Sequence, residues 1–515
     1  MISLRWTPGP LEAEVDRAVE LLVERRAAAR LWARDHTVFG PDPEECANRM
    51  GWLDAPAASE AAWGELVERA TELTAGLDRV LVLGMGGSSL FPEVLASTLE
   101  RPAGRPQLAV LDSTHPDAVR RALGATAPEA TFHLTSSKSG STVETRCHLA
   151  ACWDRSGDPR RFGVVTDPGS ALGDLARERG FALVVENDPD IGGRFSALSS
   201  FGTVPAALAG LDGAALVEAG LDQLDALDPA ALGEDGEAVW LAAIVAAAAA
   251  GGREQLTLLL DPRVAAFGLW LEQLVAESLG KAGVGSVPVV GESVDHVLAT
   301  PERRAVVTVG SVDGVERLRA SGIPMAELSL EEPADLGAQV VLWEVAVALA
   351  AVPLAINPFD QPDVESAKVA ARAVLAGGAG VGGPVAEVDL DAALELIRPG
   401  DHVAVCAFVD PGGPSAGALA AARLELGRRA GVATTFGVGP RFLHSTGQLH
   451  KGGPANQVVL QVVEPPTADA AVPGESFTFG ELIAAQAAGD LAALAAAGQR
   501  AVRVRLDDLL ALGEA

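Results

Sequence analysis

Short apolar runs separated by helix-length segments are the feature that most limits how this chain can fold. Between residues 75 and 225 these runs lie at 80–83, 108–111, 132–134, 163–165 and 182–185. Strands that alternate with helices in this way are typical of a parallel sheet with helices on both faces. The pattern therefore predicts a doubly wound domain over residues 75–225.

A second alternation follows the apolar segment 238–250 and predicts another domain of the same class. Its strand-like runs lie at 256–260, 287–290, 306–309 and 325–330. The expected fold class is therefore α/β, with two doubly wound, mostly parallel-sheet domains flanked by helices. The predicted division is an N-terminal helical segment at 1–74, domains at 75–225 and 226–425, and a C-terminal segment at 426–515.

Two further strand-like runs lie in the C-terminal part of the chain, at 403–408 and 458–463. The glycine-rich run 377–383 before them is predicted to be a flexible linker. The long apolar runs 238–250 and 340–356 are shorter than a bilayer span, and the second contains a glutamate and a proline. We expect both to form buried helices.

Charge and cysteine content argue against several classes of partner. A net charge of −30 repels phosphate polymers, so neither nucleic acid nor an anionic membrane surface is an expected partner. The four cysteines show no C-x-x-C spacing, which is typical of reduced thiols and predicts no metal site. The N-terminus lacks the features of a secretory signal, so a cytoplasmic location is expected.

The segment 132–145 concentrates hydroxyl side chains between a predicted strand and a predicted helix. The chain turns at Gly140, and the helix begins near Ser141, with Glu144 three residues later at the spacing of a capping box. Backbone N–H groups at such a helix start attract a phosphate group. The candidate phosphate ligands are Ser137, Lys138, Ser139 and Thr142. The alternative is a Ser/Thr-rich turn that only caps a helix.

Three other segments contain candidate site residues. A glycine turn at 84–89 follows a buried strand and is a second loop of the phosphate type, or simply a tight turn. Arg194 follows two glycines and is free to reach an oxyanion, unless it is a solvated surface residue. Gln273 and Glu277 share a helical face among apolar neighbours, where desolvation makes a carboxylate a better base. A surface ion pair between Glu277 and Lys281 explains that spacing equally well.

Taken together, these segments resemble the glucose-6-phosphate isomerase (phosphoglucose isomerase) family of the sugar isomerase (SIS) superfamily. The motifs that carry the resemblance are GMGGSSL, SSKSGSTVET, DIGGRFS, AESLGK and NPFDQPDVESAK, with LHSTGQ further on. The chain is most similar to the isomerase half of transaldolase–isomerase fusions. No barrel-like repeat precedes it, so transaldolase activity is not expected.

The resemblance implies a role for each candidate residue. Glu277 is implied as the base that moves a proton between C2 and C1 of the open-chain sugar through a cis-enediol. Arg194 would stabilise the charge on that intermediate, and Lys368 would bind or polarise the ring oxygen. The implied sugar-phosphate contacts are Gly87, Ser88, Ser137, Lys138, Ser139, Thr142 and Gln273. Neither a metal nor a cofactor is implied.

The histidine fragment departs from the usual order of the family. It normally lies between the glutamate and lysine motifs, where this chain has only His296, without the expected glycine and glutamine. The matching fragment, 443–448, lies beyond Lys368. We therefore expect His444 to assist ring opening, with His296 as the alternative, and the C-terminal segment to complete the active site.

Several alternatives remain open from the sequence. The expected partner is a small sugar phosphate, and the enzyme could also accept mannose 6-phosphate. A non-catalytic SIS module that only binds a sugar phosphate is the alternative of a different class. Because the relocated histidine fragment could complete the site within one chain, either a monomer or a homodimer is expected.

Overall fold

The computed structural model describes residues 1–364 and 386–513 of the chain. Within these residues the protein contains three five-stranded sheets with helices packed against them. The expected α/β class with mostly parallel sheets is confirmed, and the third sheet is additional to the two that were predicted. The described residues exclude Lys368 and the predicted linker 377–383, so both predictions lie outside them.

The N-terminal segment begins with a short strand, which the sequence prediction of an all-helical segment missed. Strand β1 (Leu4–Thr7) pairs antiparallel with a strand of the second sheet. Only four residues long and partly exposed, it lacks the continuous apolar run by which the buried strands were recognised. The helices of the segment are Glu12–Glu24, Ala27–Trp32 and Ala55–Thr74.

The first sheet is parallel throughout, with the order β3-β2-β4-β5-β6. Its strands are β2 (Arg79–Leu83), β3 (Gln107–Leu111), β4 (Thr131–Ser136), β5 (Phe162–Thr166) and β6 (Leu183–Glu186). Its helices are Leu90–Thr98, Pro116–Gly124, Val143–Ser156, Ala171–Arg179, Ser200–Ala209 and Gly213–Ala226. Because β2 and β4 lie side by side, the two glycine- and hydroxyl-rich loops that follow them leave the same edge of the sheet.

The second sheet has the order β1-β10-β9-β7-β8 and is parallel apart from β1. Its remaining strands are β7 (Gln255–Leu260), β8 (Val287–Val290), β9 (Arg304–Val309) and β10 (Met325–Leu328). Its helices are Pro229–Leu232, Glu237–Ala250, Phe267–Leu279, Val294–Ala299, Val315–Ser321 and Leu336–Leu354. These elements agree closely with the predicted runs.

The third sheet is parallel and has the order β11-β15-β14-β12-β13. Its strands are β11 (Glu387–Val388), β12 (His402–Phe408), β13 (Ala433–Val438), β14 (Gln457–Val463) and β15 (Arg500–Val504). Its helices are Leu390–Leu394, Pro414–Ala430, Gly447–Gly452, Phe479–Ala496 and Leu506–Gly513.

This sheet changes the predicted domain division. The sequence placed the run 403–408 in the second domain and residues 426–515 in a separate segment. In the structure β12 lies between β14 and β13, so the described residues from 387 onward form one third domain. The sequence could not show this, because a buried central strand has the same apolar pattern in any parallel sheet.

The centre of the molecule is built from long apolar helices. Helix Leu336–Leu354 packs against Glu237–Ala250 and Gly213–Ala226. By length and composition alone, two helical stretches among the described residues could cross a membrane, Pro333–Leu354 and Phe479–Ala496. In the first, 94 % of the most apolar 18-residue window is buried inside the protein, as expected for a core helix.

Candidate functional site

Glu277 lies on the buried face of helix Phe267–Leu279, one turn after Gln273. Gln273 Nε2 donates to Glu277 Oε2 at 3.1 Å and to the His444 carbonyl oxygen at 2.9 Å. The Glu277 side chain is 7 % exposed. Burial raises the pKa of Glu277 above its ordinary value, and the charge of Arg194 only partly opposes that effect. The group is therefore suited to accept a proton nearer neutral pH than an exposed carboxylate.

Arg194 lies beside this carboxylate and is equally buried. Its Nη1 is 3.7 Å from Glu277 Oε2, and its Nε donates to Ser278 Oγ at 2.8 Å. Its Nη2 donates to the carbonyl oxygens of Pro358 and Asp360, at 2.5 Å and 3.0 Å. The alternative of a solvated surface arginine is therefore excluded, and the guanidinium is held in a fixed orientation.

The glycine turn after β2 lies against both of these groups. A Cβ at Gly87 would be 1.9 Å from the carbonyl oxygen of Gly193, next to Arg194. Gly86 has a φ of +55°, and a Cβ there would be 2.7 Å from the His444 carbonyl oxygen and 3.0 Å from Gln273 Nε2. Only glycines permit this close approach of three segments. The following residue, Ser88, is buried in the same turn.

Lys281 does not form the surface pair with Glu277 that the sequence left open. Its side chain is buried, and Nζ donates to Asp360 Oδ1 at 2.7 Å and to the carbonyl oxygens of Asp360 and Asn357 at 2.6 Å and 2.9 Å. Burial lowers the pKa of Lys281 to about 8. Lys281 and Arg194 therefore both hold the loop 357–360.

His444 comes from the third domain and reaches the phosphate-type helix of the first domain. Its Nε2 is 2.9 Å from Glu144 Oε1, and Gln486 Nε2 donates to the same oxygen at 2.7 Å. Burial acts to raise the pKa of Glu144, but the charge and hydrogen bond of His444 outweigh it and lower the pKa to about 2. Glu144 therefore supplies a buried negative charge to the imidazole.

The capping-box interpretation of Glu144 is wrong. Helix Val143–Ser156 begins after Thr142, and no side chain caps its N-terminus. A capping box keeps the glutamate at the helix start, whereas this carboxylate is buried against His444. The sequence did not indicate Glu144 and Gln486 as site residues, because Glu144 is far along the chain from both His444 and Gln486. The sequence feature that could have indicated Glu144 is its position as a carboxylate in a segment that otherwise carries hydroxyl side chains.

The fragment around His444 is anchored to the first two domains. Arg441 makes a bidentate ion pair with Asp112, at 2.6 Å and 2.9 Å. Gln448 Nε2 donates to Asp363 Oδ2 at 2.6 Å, and its Oε1 accepts from the Asp363 N–H at 3.0 Å. These contacts fix the position of His444 relative to Glu277 within a single chain.

The hydroxyl-rich loop after β4 is partly engaged with itself. Ser137 Oγ lies 3.4 Å from Thr142 Oγ1 and accepts from the Gly140 N–H, while Ser139 Oγ lies 2.9 Å from Ser141 Oγ. Lys138 turns toward a neighbouring loop. Its Nζ donates to Asp167 Oδ2 at 2.5 Å and to the Pro189 carbonyl oxygen at 2.6 Å. The ammonium group is thus already paired with a carboxylate.

Two other histidines, the alternative His296 and the neighbouring His450, make different contacts. His296 contacts Ser293 at the start of the helix Val294–Ala299, and none of its described contacts is to Glu277 or Arg194. His450 is buried, and burial lowers its pKa to about 3. Among the described residues no group of three or more His, Cys, Asp or Glu side chains could hold a metal ion.

Comparisons with known proteins identify the family of the chain. The model of the phosphoglucose isomerase family matches residues 11–299, more than half of the chain. A glucose-6-phosphate isomerase of a Synechococcus species is 29 % identical over 448 residues, covering 72 % of this chain and 82 % of the relative.

Solved structures extend the agreement to the fold. A hypothetical protein of Thermus thermophilus is 26 % identical, with a TM-score of 0.61. The superposition covers 73 % of this chain and 100 % of the other. A glucose-6-phosphate isomerase of Chlamydia trachomatis is 19 % identical, with a TM-score of 0.58, and covers 74 % of this chain and 89 % of the other. On these grounds the chain belongs to the phosphoglucose isomerase family.

Proposed function

We propose that this protein is a glucose-6-phosphate isomerase, which reversibly interconverts glucose 6-phosphate and fructose 6-phosphate. The observation that carries the proposal is the buried cluster of Glu277, Arg194 and Gln273. A base with a raised pKa lies 3.7 Å from a fixed guanidinium, as aldose–ketose proton transfer requires. The relatives in the same family support the choice of substrate.

In the proposed mechanism Glu277 removes a proton from C2 of the opened aldose and returns it to C1. Negative charge then develops on the enediol oxygens, and the Arg194 guanidinium stabilises it without having to reorient. Gln273 Oε1 is buried and has no hydrogen-bond partner among the residues that the structure describes. We assign this atom to a substrate hydroxyl, because an unpaired buried acceptor is costly without a donor.

The phosphate of the substrate is proposed to bind at the loop of Ser137, Ser139 and Thr142, beside the turn of Gly87 and Ser88. Hydroxyl and backbone N–H donors at a helix start fit a dianion. Since Lys138 is already bonded to Asp167, it contributes its charge at longer range or exchanges partners when substrate binds. Lys368 keeps its proposed contact with the sugar ring oxygen.

His444 is proposed to transfer a proton during ring opening, with Glu144 holding its charge. His444→Gln is expected to slow the interconversion of fructose 6-phosphate anomers by about 10²-fold, the lower range for a general acid–base group. Exchange NMR measures that rate. The deuterium incorporated from solvent per product formed is set after ring opening and should stay unchanged. If the deuterium incorporated per product changed by the same factor as the rate of anomer exchange, His444 would not act in ring opening.

A coupled assay with fructose 6-phosphate as substrate tests the function directly. Purified protein is expected to form glucose 6-phosphate at a kcat within the ordinary range of about 1–10³ s⁻¹. Mannose 6-phosphate in the same assay measures epimer preference. Binding of either sugar phosphate without turnover would favour the non-catalytic SIS module.

The wider setting of the protein follows from the same proposal. Arg194, Glu277 and His444 come from three domains of one chain, which favours a site that a monomer can form and also allows a homodimer. All four cysteines are buried and unpaired, which supports a reducing, cytoplasmic location. The reaction belongs to glycolysis and gluconeogenesis.

A further inference from the structure

A buried chain of hydrogen bonds connects the third domain to the carboxylate behind His444. Thr114 Oγ1 donates to Gln486 Oε1 at 2.7 Å, and Gln486 Nε2 donates to Glu144 Oε1 at 2.7 Å. The same Glu144 oxygen lies 2.9 Å from His444 Nε2. Thr114, Gln486 and Glu144 are all at least 95 % buried. The amide of Gln486 can therefore take only one orientation, with its NH₂ group toward the carboxylate.

The position of Gln486 is itself fixed by the third domain. Helix Phe479–Ala496 carries Gln486 and is held by the buried pair of Lys451 and Asp490, whose atoms Nζ and Oδ1 are 2.7 Å apart. The Ala487 carbonyl oxygen accepts from Gln461 Nε2 at 2.9 Å, which ties the helix to β14. The amide thus reaches the first domain from a rigid support.

A donor on a carboxylate stabilises its charged form and disperses its negative charge. Glu144 Oε1 therefore shares its charge between two donors, and the share left for His444 depends on Gln486. Of the other titratable groups that face the pair, His148 lies near Glu144, and burial lowers its pKa to about 4, so it is neutral near pH 7. The charge of Glu277 acts on His444, and the charge of Asp112 acts on His148.

We propose that Gln486 is a positioning residue for ring opening, through which the third domain orients Glu144 and sets how strongly it holds the proton on His444. The inference rests on the proposed isomerase function. It adds that the third domain contributes a second residue to the reaction besides His444. It also gives the helix Phe479–Ala496 a role in catalysis that its apolar sequence does not indicate.

Gln486→Leu tests the proposal, because leucine fills a similar volume without a donor or an acceptor. The rate of anomer interconversion, followed by exchange NMR from pH 5 to 9, is expected to fall about 10-fold, since a hydrogen bond to a charged group is lost. The pH profile of this rate should change as well, because more negative charge then faces the imidazole. A purely structural loss would instead lower the rate equally at every pH. Deuterium incorporated per product should not change.

Two further variants make the result specific. In Gln486→Glu the new side chain donates to Glu144 only when it is protonated, so its rate relative to wild type should fall as pH rises. This variant is nearly isosteric and is informative if the leucine variant does not fold. Gln461→Leu is the control for loosening of the helix, because it removes a buried glutamine that bonds the carbonyl oxygen of Ala487 and leaves the Gln486 amide in place. Its pH profile should shift less than that of Gln486→Leu, because the amide that donates to Glu144 remains.

The experiments distinguish a failure of the proposed function from a failure of the positioning role. If wild-type protein does not turn over fructose 6-phosphate, the proposed function fails. If wild type is active and Gln486→Leu keeps its rate and pH profile, the positioning role alone is overturned. An equal shift in Gln461→Leu would also overturn it, because the effect would then come from loosening the domain.

Discussion

Glu277→Gln is expected to reduce kcat by about 10³-fold, within the range for loss of a general base. The amide keeps the size and the hydrogen-bonding geometry of the carboxylate, so substrate should still bind. Solvent deuterium should no longer enter C1 or C2 of the sugar. A coupled assay and NMR of the recovered product measure the two effects. Residual exchange at the wild-type rate would exclude Glu277 as the base.

The pH profile supplies an independent check on the same residue. Glu277 must be deprotonated to act, so kcat/KM falls as pH drops through its pKa, which burial raises above the ordinary value of 4.5. The variant should lack this acidic limb. Glu272→Gln is a matched control on the same helix, since burial raises the pKa of Glu272 to about 8 but the residue lies outside the cluster around Arg194. Its activity should stay within about 3-fold of wild type, well below the effect of losing a base.

Arg194→Lys is expected to lower kcat by about 10²-fold, comparable to the loss of one oxyanion donor. Lysine keeps the positive charge but cannot bond Ser278 and the loop carbonyls of Pro358 and Asp360 at the same time. The charge would therefore move relative to the enediol oxygens. Steady-state kinetics should show a larger change in kcat than in KM.

Arg423→Lys is a suitable control for this prediction. Arg423 is also buried and also donates to backbone carbonyls, those of Thr434 and Val290, but it joins the second and third domains away from Glu277. It should lower thermal stability with little effect on kcat. If both variants lost the same fraction of kcat, the effect of Arg194 would be structural rather than electrostatic.

The sequence predicted the parts of the fold and of the site that depend on local pattern. The strands of the first two sheets are continuous apolar runs, and such runs identify buried parallel strands wherever they lie. The four-residue spacing of Gln273 and Glu277 placed them on one helical face, where their side chains are 3.1 Å apart.

Pairings between distant segments could not be predicted in this way. Glu144 and His444 are 300 positions apart, and Gln486 lies still further along the chain. The spacing of Glu144 fits a capping box as well as it fits a buried partner. Lys281 likewise fits a surface pair with Glu277 until the loop at Asp360 covers it.

The sequence by itself determined the α/β class, the first two sheets and the types of residue that the site contains. Only the tertiary structure decided that β12 belongs to a third sheet, and that this domain brings His444 and Gln486 to Glu144. The physical reason is that periodicity records which side chains are buried. Which buried groups meet depends on how whole domains pack, because buried charges and amides are stable only with the partners that packing gives them.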